Sequence, residues 1–364
     1  MFDKNVIKND YPLPLDGKFF ASENTPKLIN YILNTHIQDI KALAKEISLN
    51  KLANLHFVGC ACNYSAGHDA KYILDKYSSI PCNFYTGYQF LSRSPYILDK
   101  NSYVFFMSLS GETPDVIKAK NYALPLGVKS VVISRTSQTP LASDKPIADY
   151  VFDYEYLAGV YTGPLTILFL LCAHITKFRE GNDALCQEII NDMHKVPDYM
   201  LNQSKKYAKE AEQWAEKFDG INLYYVLGTG ILYGLAFKIA KSVINENIWM
   251  DGVDVDTAEF YHGPIEVVET TPPEKANRAF IHLLCKEEKA RIPCTQALNF
   301  LTSKKVTQIV FDAMDHPQFH ELFDPYVLFS PTEWLCMHLA ARRNHNIEDR
   351  RYMGKLSDKW GSYG

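Results

Sequence analysis

The chain has 364 residues, with 38 Lys and Arg against 42 Asp and Glu, a formal net charge of −4 and 47% hydrophobic residues. That composition belongs to an ordinary globular protein of two or three domains and excludes a disordered or fibrous chain. The balanced charge argues against the concentrated basic surface that nucleic-acid binding needs. A small anionic ligand held by a few local donors is still compatible with it.

The N-terminus, MFDKNVIKND, is charged from the start and lacks the apolar stretch of an export signal. Over residues 24–50 apolar side chains recur near every 3.6 positions (Leu28, Ile29, Ile32, Leu33, Ile37, Ile40, Leu43, Ile47), which predicts helix. Leu55-His56-Phe57-Val58-Gly59 reads as a strand ending in glycine, and 66–76 as helix. Further strands are expected at 81–86, 102–108, 129–134 and 150–156, with helical pattern between them, as at 115–124. The longest apolar run, 164–175, is shorter than the ~20 residues of a membrane span and predicts a helix buried on all sides.

Residues 181–218 are charged and amphipathic, a helical connector. The pattern then restarts. Leu223-Tyr224-Tyr225-Val226-Leu227-Gly228 is again a strand ending in glycine, followed by a helix over 231–249, strands at 279–285 and 306–311, and a helix at 331–343. Alternation of strand and helix implies α/β architecture with parallel sheets covered on both faces. The expected organisation is an N-terminal helical segment (1–50), a first α/β domain (51–180), the connector (181–218), a second α/β domain (219–345) and a tail (346–364).

The eight cysteines sit mostly in apolar surroundings, and Cys60-Ala61-Cys62 lacks the spacing of a zinc site. Reduced thiols, a cytoplasmic location and no metal are expected. The 23 Tyr and 20 Phe suit large buried surfaces or an extensive subunit interface.

Three motifs carry chemistry. Ser108-Leu109-Ser110-Gly111-Glu112-Thr113-Pro114 joins a strand to a helix. Thr113 suits the N-cap, Pro114 the first helical position, and Gly111 a tight turn. Hydroxyls and free N–H groups at a helix N-terminus make an anion site, with phosphate the natural ligand, or simply a well-capped turn. On the helix 231–249, the stripe Leu232, Ala236, Ile239, Val243 leads next to Glu246. This places a carboxylate at a core-facing position suited to acid–base work, or at a helix end that has reached the surface. His262 in Glu259-Phe260-Tyr261-His262-Gly263-Pro264 lies in a turn, where it can face a cleft or be an ordinary loop histidine. His68 follows the first glycine turn and could line the same cleft.

Together these features resemble the sugar isomerase (SIS) domain family. The strand–glycine turns, the SxSGxT loop and a Glu sixteen residues before His-Gly-Pro resemble the isomerase half of glucosamine-6-phosphate synthase. The segment ENIWMDGVDVDTAEFYHGPIEV (246–267) and the tail HNIEDRRYMGK (345–355) resemble more closely the fructosamine-6-phosphate deglycases. The resemblance implies two tandem SIS domains, each a Rossmann-like parallel sheet flanked by helices. It also implies a homodimer or higher homo-oligomer with active sites at subunit interfaces.

It places a sugar phosphate on Ser108, Ser110, Gly111 and Thr113, with Cys62 and Asn63 beside it. Asn63 stands where a serine is usual. It makes Glu246 the general base and His262 its acid–base partner, reaching in from a neighbouring subunit. It brings Arg351 and Lys355 of the tail toward the site and needs no cofactor. The implied reaction cleaves 6-phosphofructosyl amines to glucose 6-phosphate and a free amine. The alternatives are an aminosugar-6-phosphate deaminase, an aldose–ketose isomerase, or a non-catalytic sugar-phosphate sensor. The synthase-type lysine three residues before the Glu is Val243 here, so a Schiff-base lysine is missing unless Lys241 substitutes.

Overall fold

The computed structural model describes residues 24–269 and 277–352. The chain forms two compact units, with the division after Pro197. In the first, the periodic stretch 24–50 becomes two helices, α1 (Asn24–Thr35) and α2 (Ile37–Leu49), broken at His36. The break is anchored: His36 Nε2 lies 3.1 Å from Asp153 Oδ1, and the Tyr31 hydroxyl donates to the same oxygen at 2.6 Å.

Five strands follow: β1 (Asn54–Gly59), β2 (Cys82–Tyr85), β3 (Ser102–Ser108), β4 (Lys129–Ser134) and β5 (Tyr150–Asp153). They form one parallel sheet in the order β2-β1-β3-β4-β5. Helices α3 (Cys62–Tyr77), α4 (Gly87–Arg93), α5 (Pro114–Ala123), the short α6 (Pro140–Ser143) and α7 (Thr162–Glu180) connect or cover it. The strand expected at 150–156 ends at Asp153, because Glu155 takes a left-handed φ of 63° that no strand continues.

The central strands β1 and β3 are buried along their whole length, which is why they read as unbroken apolar runs. The long apolar run is the buried part of α7, whose residues 162–176 are all buried where the helix packs on α2 and α3. Each large aliphatic side chain buried there contributes about 1.5–3 kcal/mol. Among the described residues, no helix is long and apolar enough to cross a membrane.

The helix α8 (Asp183–Glu216) spans the division between the units and carries Pro197. The second unit repeats the first sheet's logic. Strands β6 (Leu223–Gly228), β7 (Asp251–Asp256), β8 (Arg278–Leu284) and β9 (Thr307–Asp312) are parallel in the order β7-β6-β8-β9. The four positions match β2-β1-β3-β4, so the two glycine turns after β1 and β6 open equivalent sheets. Strand β7 is absent from the sequence reading because Asp251-Gly252-Val253-Asp254-Val255-Asp256 has only two apolar residues. At a sheet edge only one side of a strand needs burying. Helices α10 (Glu288–Ser303) and α11 (Asp324–Ala341) complete the unit, α11 beginning a full two turns before the expected 331.

The helix expected over 231–249 is not uniform. A 3-10 turn (Gly230–Leu232) leads into the short α9 (Tyr233–Phe237), and residues Lys238–Ile248 form a π-helix. This decides where Glu246 points, as described next.

Candidate active site

The loop after β3 is ordered by its own side chains. The Ser108 hydroxyl accepts the Gly111 N–H at 3.0 Å and shares a 2.7 Å hydrogen bond with the Thr113 hydroxyl. The Ser110 oxygen accepts the Glu112 N–H at 3.1 Å. Ser108 and Thr113 own two hydroxyl protons and use one between them, so one remains for a ligand; Ser110 keeps its own. Gly111 has φ +66°, and a Cβ there would come within 2.4 Å of Thr139. Glycine is required on both counts.

Thr113 occupies the N-cap of α5, but its hydroxyl does not cap. The Val116 N–H is taken by the Thr113 carbonyl at 3.1 Å, which leaves the side chain free to turn back to Ser108. The result is a rigid rim of neutral donors at the carboxyl end of a parallel strand, over a helix N-terminus, which suits an anion.

The turn after β1 adjoins this loop, since Gly59 and Met107 are paired in register. Cys62 and Asn63 open α3 there, both buried, and the Asn63 Oδ1 has no hydrogen-bond partner. Gly59 allows the approach: a Cβ on it would lie 2.6 Å from that of Asn63. Cys60 donates its thiol proton to the buried Asp115 at 3.2 Å, and burial pushes its pKa up to about 12, so it is no nucleophile near neutrality. His68 lies elsewhere on α3, beside Asp69 at 3.2 Å and edge-on to Phe84 of β2.

In the second unit, Glu246 is half-buried rather than core-facing, contrary to the stripe read from the sequence. The wider i→i+5 turn of the π-helix shifts the phase of that stripe, so Asn247 and Ile248 take the buried positions and Glu246 moves to the edge. Its neighbours hold the helix end. The Asn245 side chain accepts the Gly252 N–H of β7, and Asn247 Nδ2 donates to the Ile347 carbonyl at 2.6 Å. His345 Nε2 donates to the Asn247 carbonyl at 2.6 Å, and its ring lies against Trp249. The first residues of the tail thus brace the helix that carries Glu246.

Val243 is buried, and Lys241 forms an ion pair with Asp254 at 3.2 Å and donates to the Gly252 carbonyl, so its amine is engaged. His262 is exposed, closing the turn Glu259–Tyr261 just before Gly263, whose φ is +141°. Arg351 is exposed; Lys355 lies outside the described residues. Among the described residues, no three His, Cys, Asp or Glu side chains gather as a metal-binding group.

The geometry does not bring Glu246 and His262 of one chain together. The helix runs down from the carboxyl end of β6, so Glu246 lies beside the amino end of β7, while His262 follows its carboxyl end. Strand β7 itself is roughly 17 Å long at ~3.3 Å per residue.

Residues 48–172 match the model of the SIS domain family. The chain is 26% identical to the fructoselysine 6-phosphate deglycase of Escherichia coli over 339 residues, covering 93% of this chain and 96% of that one. It is 27% identical to a fructosamine deglycase of Bacillus subtilis, covering 88% and 97% respectively. Among solved structures, a candidate phosphosugar isomerase from Bacillus subtilis superposes with a TM-score of 0.76 at 26% identity, covering 88% of this chain and 97% of that one. The C-terminal domain of a glucosamine-fructose-6-phosphate aminotransferase from Francisella tularensis shares the fold, with a TM-score of 0.74 at 19% identity, covering 93% and 99%.

Sequence reasoning singled out the loop after β3, Glu246 and His262 as candidates. It missed the loop after β4, which backs the anion loop, and the Asn247–His345 brace. The first had a signal: Ser134 to Pro140 repeats the Ser, Thr and Pro spacing of Ser108 to Pro114. The second had none, because the brace joins residues about a hundred positions apart.

Proposed function

We propose that this chain is a phosphosugar-processing enzyme of the SIS family, a deglycase that cleaves 6-phosphofructosyl amines to glucose 6-phosphate and a free amine. The observation that carries the reading is full-length similarity to two deglycases, over a chain that keeps the Glu246 and His262 spacing and the ordered anion loop. The loop after β3 holds the 6-phosphate through Ser108, Ser110, Thr113 and the adjoining N–H groups, with Cys62 and Asn63 shaping the sugar side.

His262 assists ring opening to the keto form. Glu246 removes a proton from C1, beside the C2 carbonyl, and the pair collapses to an enaminol. Return of the proton at C2 gives an imine at C1. Water adds to that imine, the C–N bond breaks, and the amine leaves with the proton it needs, giving the aldehyde of glucose 6-phosphate. A positioned carboxylate suffices for such a transfer. The placement of Glu246 and His262 at opposite ends of β7 supports a complete site that draws His262 from a second copy in a homo-oligomer.

The test is a panel assay. Purified protein is given 6-phosphates of fructosyl-lysine, fructosyl-asparagine and related amines, with glucosamine 6-phosphate and fructose 6-phosphate as rivals. Glucose 6-phosphate release from a fructosyl amine is expected. Release of ammonia from glucosamine 6-phosphate alone would replace the deglycase with a deaminase.

A further inference from the structure

The turn after β4 repeats the turn after β3. Ser108 and Ser134 are register partners, and each bonds the Thr hydroxyl five residues on: Ser108 with Thr113 at 2.7 Å, Thr139 donating to Ser134 at 3.0 Å. The two turns are joined. The Leu141 N–H donates to the Gly111 carbonyl at 2.9 Å, and the Arg135 N–H to the Leu109 carbonyl at 3.2 Å. Thr139 fills the space that a Cβ on Gly111 would need.

The second turn carries a cation that the first lacks. In the turns that follow β1, β3, β4 and β5, Arg135 is the one basic residue, against the acidic Glu112 and Glu155. Its guanidinium is half-buried and makes no hydrogen bond or ion pair with any described residue. Lys120, also near this turn, is committed to the carbonyls of Leu141 and Asp144 at 2.7 and 3.2 Å. The Arg135 charge reaches the fully buried Tyr154 hydroxyl, which likewise has no hydrogen-bond partner. The anion loop itself offers only neutral donors, with Asp115 buried behind it. Among the described residues of these turns, Arg135 is the one compensating charge a dianion placed there would meet.

We propose that Arg135 is the counter-charge of the ligand's phosphate and makes the site select the dianionic phosphate over the free sugar. The proposal rests on the phosphosugar reading above. A guanidinium suits the role because it stays charged and meets phosphate oxygens with two parallel N–H groups.

The test is calorimetric titration of the full chain and its Arg135→Gln and Arg135→Lys variants with fructose 6-phosphate and with fructose. Arg135→Gln is expected to weaken fructose 6-phosphate roughly 10- to 100-fold, as loss of a charge-assisted pair does, and to leave fructose unchanged. Arg135→Lys should recover part of the loss. Wild-type affinity should rise as pH passes the second phosphate pKa of about 6, and this rise should flatten in Arg135→Gln. Unfolding midpoints should be unchanged, since the side chain has no partner to lose among the described residues.

Fructose 6-phosphate binding within about twofold of wild type in Arg135→Gln overturns the proposal. So does a loss confined to ligands bearing an amino-acid carboxylate, which would assign the guanidinium to that group. A wild-type chain that binds neither sugar phosphate nor inorganic phosphate sinks both the proposal and the phosphosugar reading. Arg135-dependent binding without glucose 6-phosphate release from any fructosyl amine sinks only the deglycase.

Discussion

Glu246 and His262 stand at opposite ends of β7, the first beside its amino end and the second beyond its carboxyl end. The proposed site, with His262 from a second chain, is open to a complementation test. Glu246→Gln and His262→Ala should each lower kcat by about 10²–10⁴-fold. When the two inactive variants are mixed and reassembled one to one as dimers, about half of the dimers are hybrids with one intact site. Activity should return to about a quarter of wild type. No recovery, with mixed dimers verified by mass, would place both residues in one chain's site.

For a base acting in the transition state, Glu246→Gln should leave sugar-phosphate binding within about 1 kcal/mol of wild type. Fructose 6-phosphate titration of the variant measures this. A large loss of binding would make Glu246 a ground-state contact instead.

Gly111→Ala should impair both fold and binding. The substitution forces a side chain into φ +66° and against Thr139 at 2.4 Å. A cost of about 1–3 kcal/mol is expected from the backbone alone. The urea midpoint should fall, and fructose 6-phosphate affinity with it, because the Gly111 N–H is held in place by Ser108.

His345→Phe tests the brace behind Glu246. It keeps an aromatic ring for Trp249 but leaves the Asn247 carbonyl without its donor. An unsatisfied buried carbonyl costs about 1–3 kcal/mol. The expected kinetic signature is a fall in kcat larger than any rise in KM, since the phosphate loop is untouched. Equal loss in both would mean that His345 supports the fold only.

Acid should destabilise the protein between about pH 6.5 and 4. His56, His174 and His282 are buried and neutral, with burial pushing each down to about 4. In the unfolded chain they bind protons near 6.5, so over that window the unfolded state holds more protons and stability falls as pH falls. Asp324 opposes this: burial raises it to about 7, so it keeps a proton in the folded state and favours acid over the same range. The histidines outnumber it, and the net slope should be positive with pH. Denaturant midpoints from pH 7 to 5 check the sign, and His282→Gln should flatten the slope.

Much of the fold was legible in the sequence because buried parallel strands are continuous apolar runs bounded by glycine turns. That accounts for β1, β3, β4, β6 and β8. The same signal fails at β7, where an edge strand with alternating aspartates needs only one apolar side. It fails again along 238–248, where the helical period itself changes and moves Glu246 from the core to the edge.

The sequence by itself determined two α/β sheets, a loop of hydroxyls and glycine after β3, and the choice of Glu246 and His262 as candidates. These are local: spacing and residue type are enough to specify a turn or a cap. Only the tertiary structure decided that Thr113 bonds Ser108 instead of capping its helix. It also set the second Ser/Thr turn, whose Arg135 pairs with no described residue, against the first, and placed Glu246 and His262 at opposite ends of β7. Those relationships depend on which strands pair and how helices return along them, and no local sequence pattern encodes that.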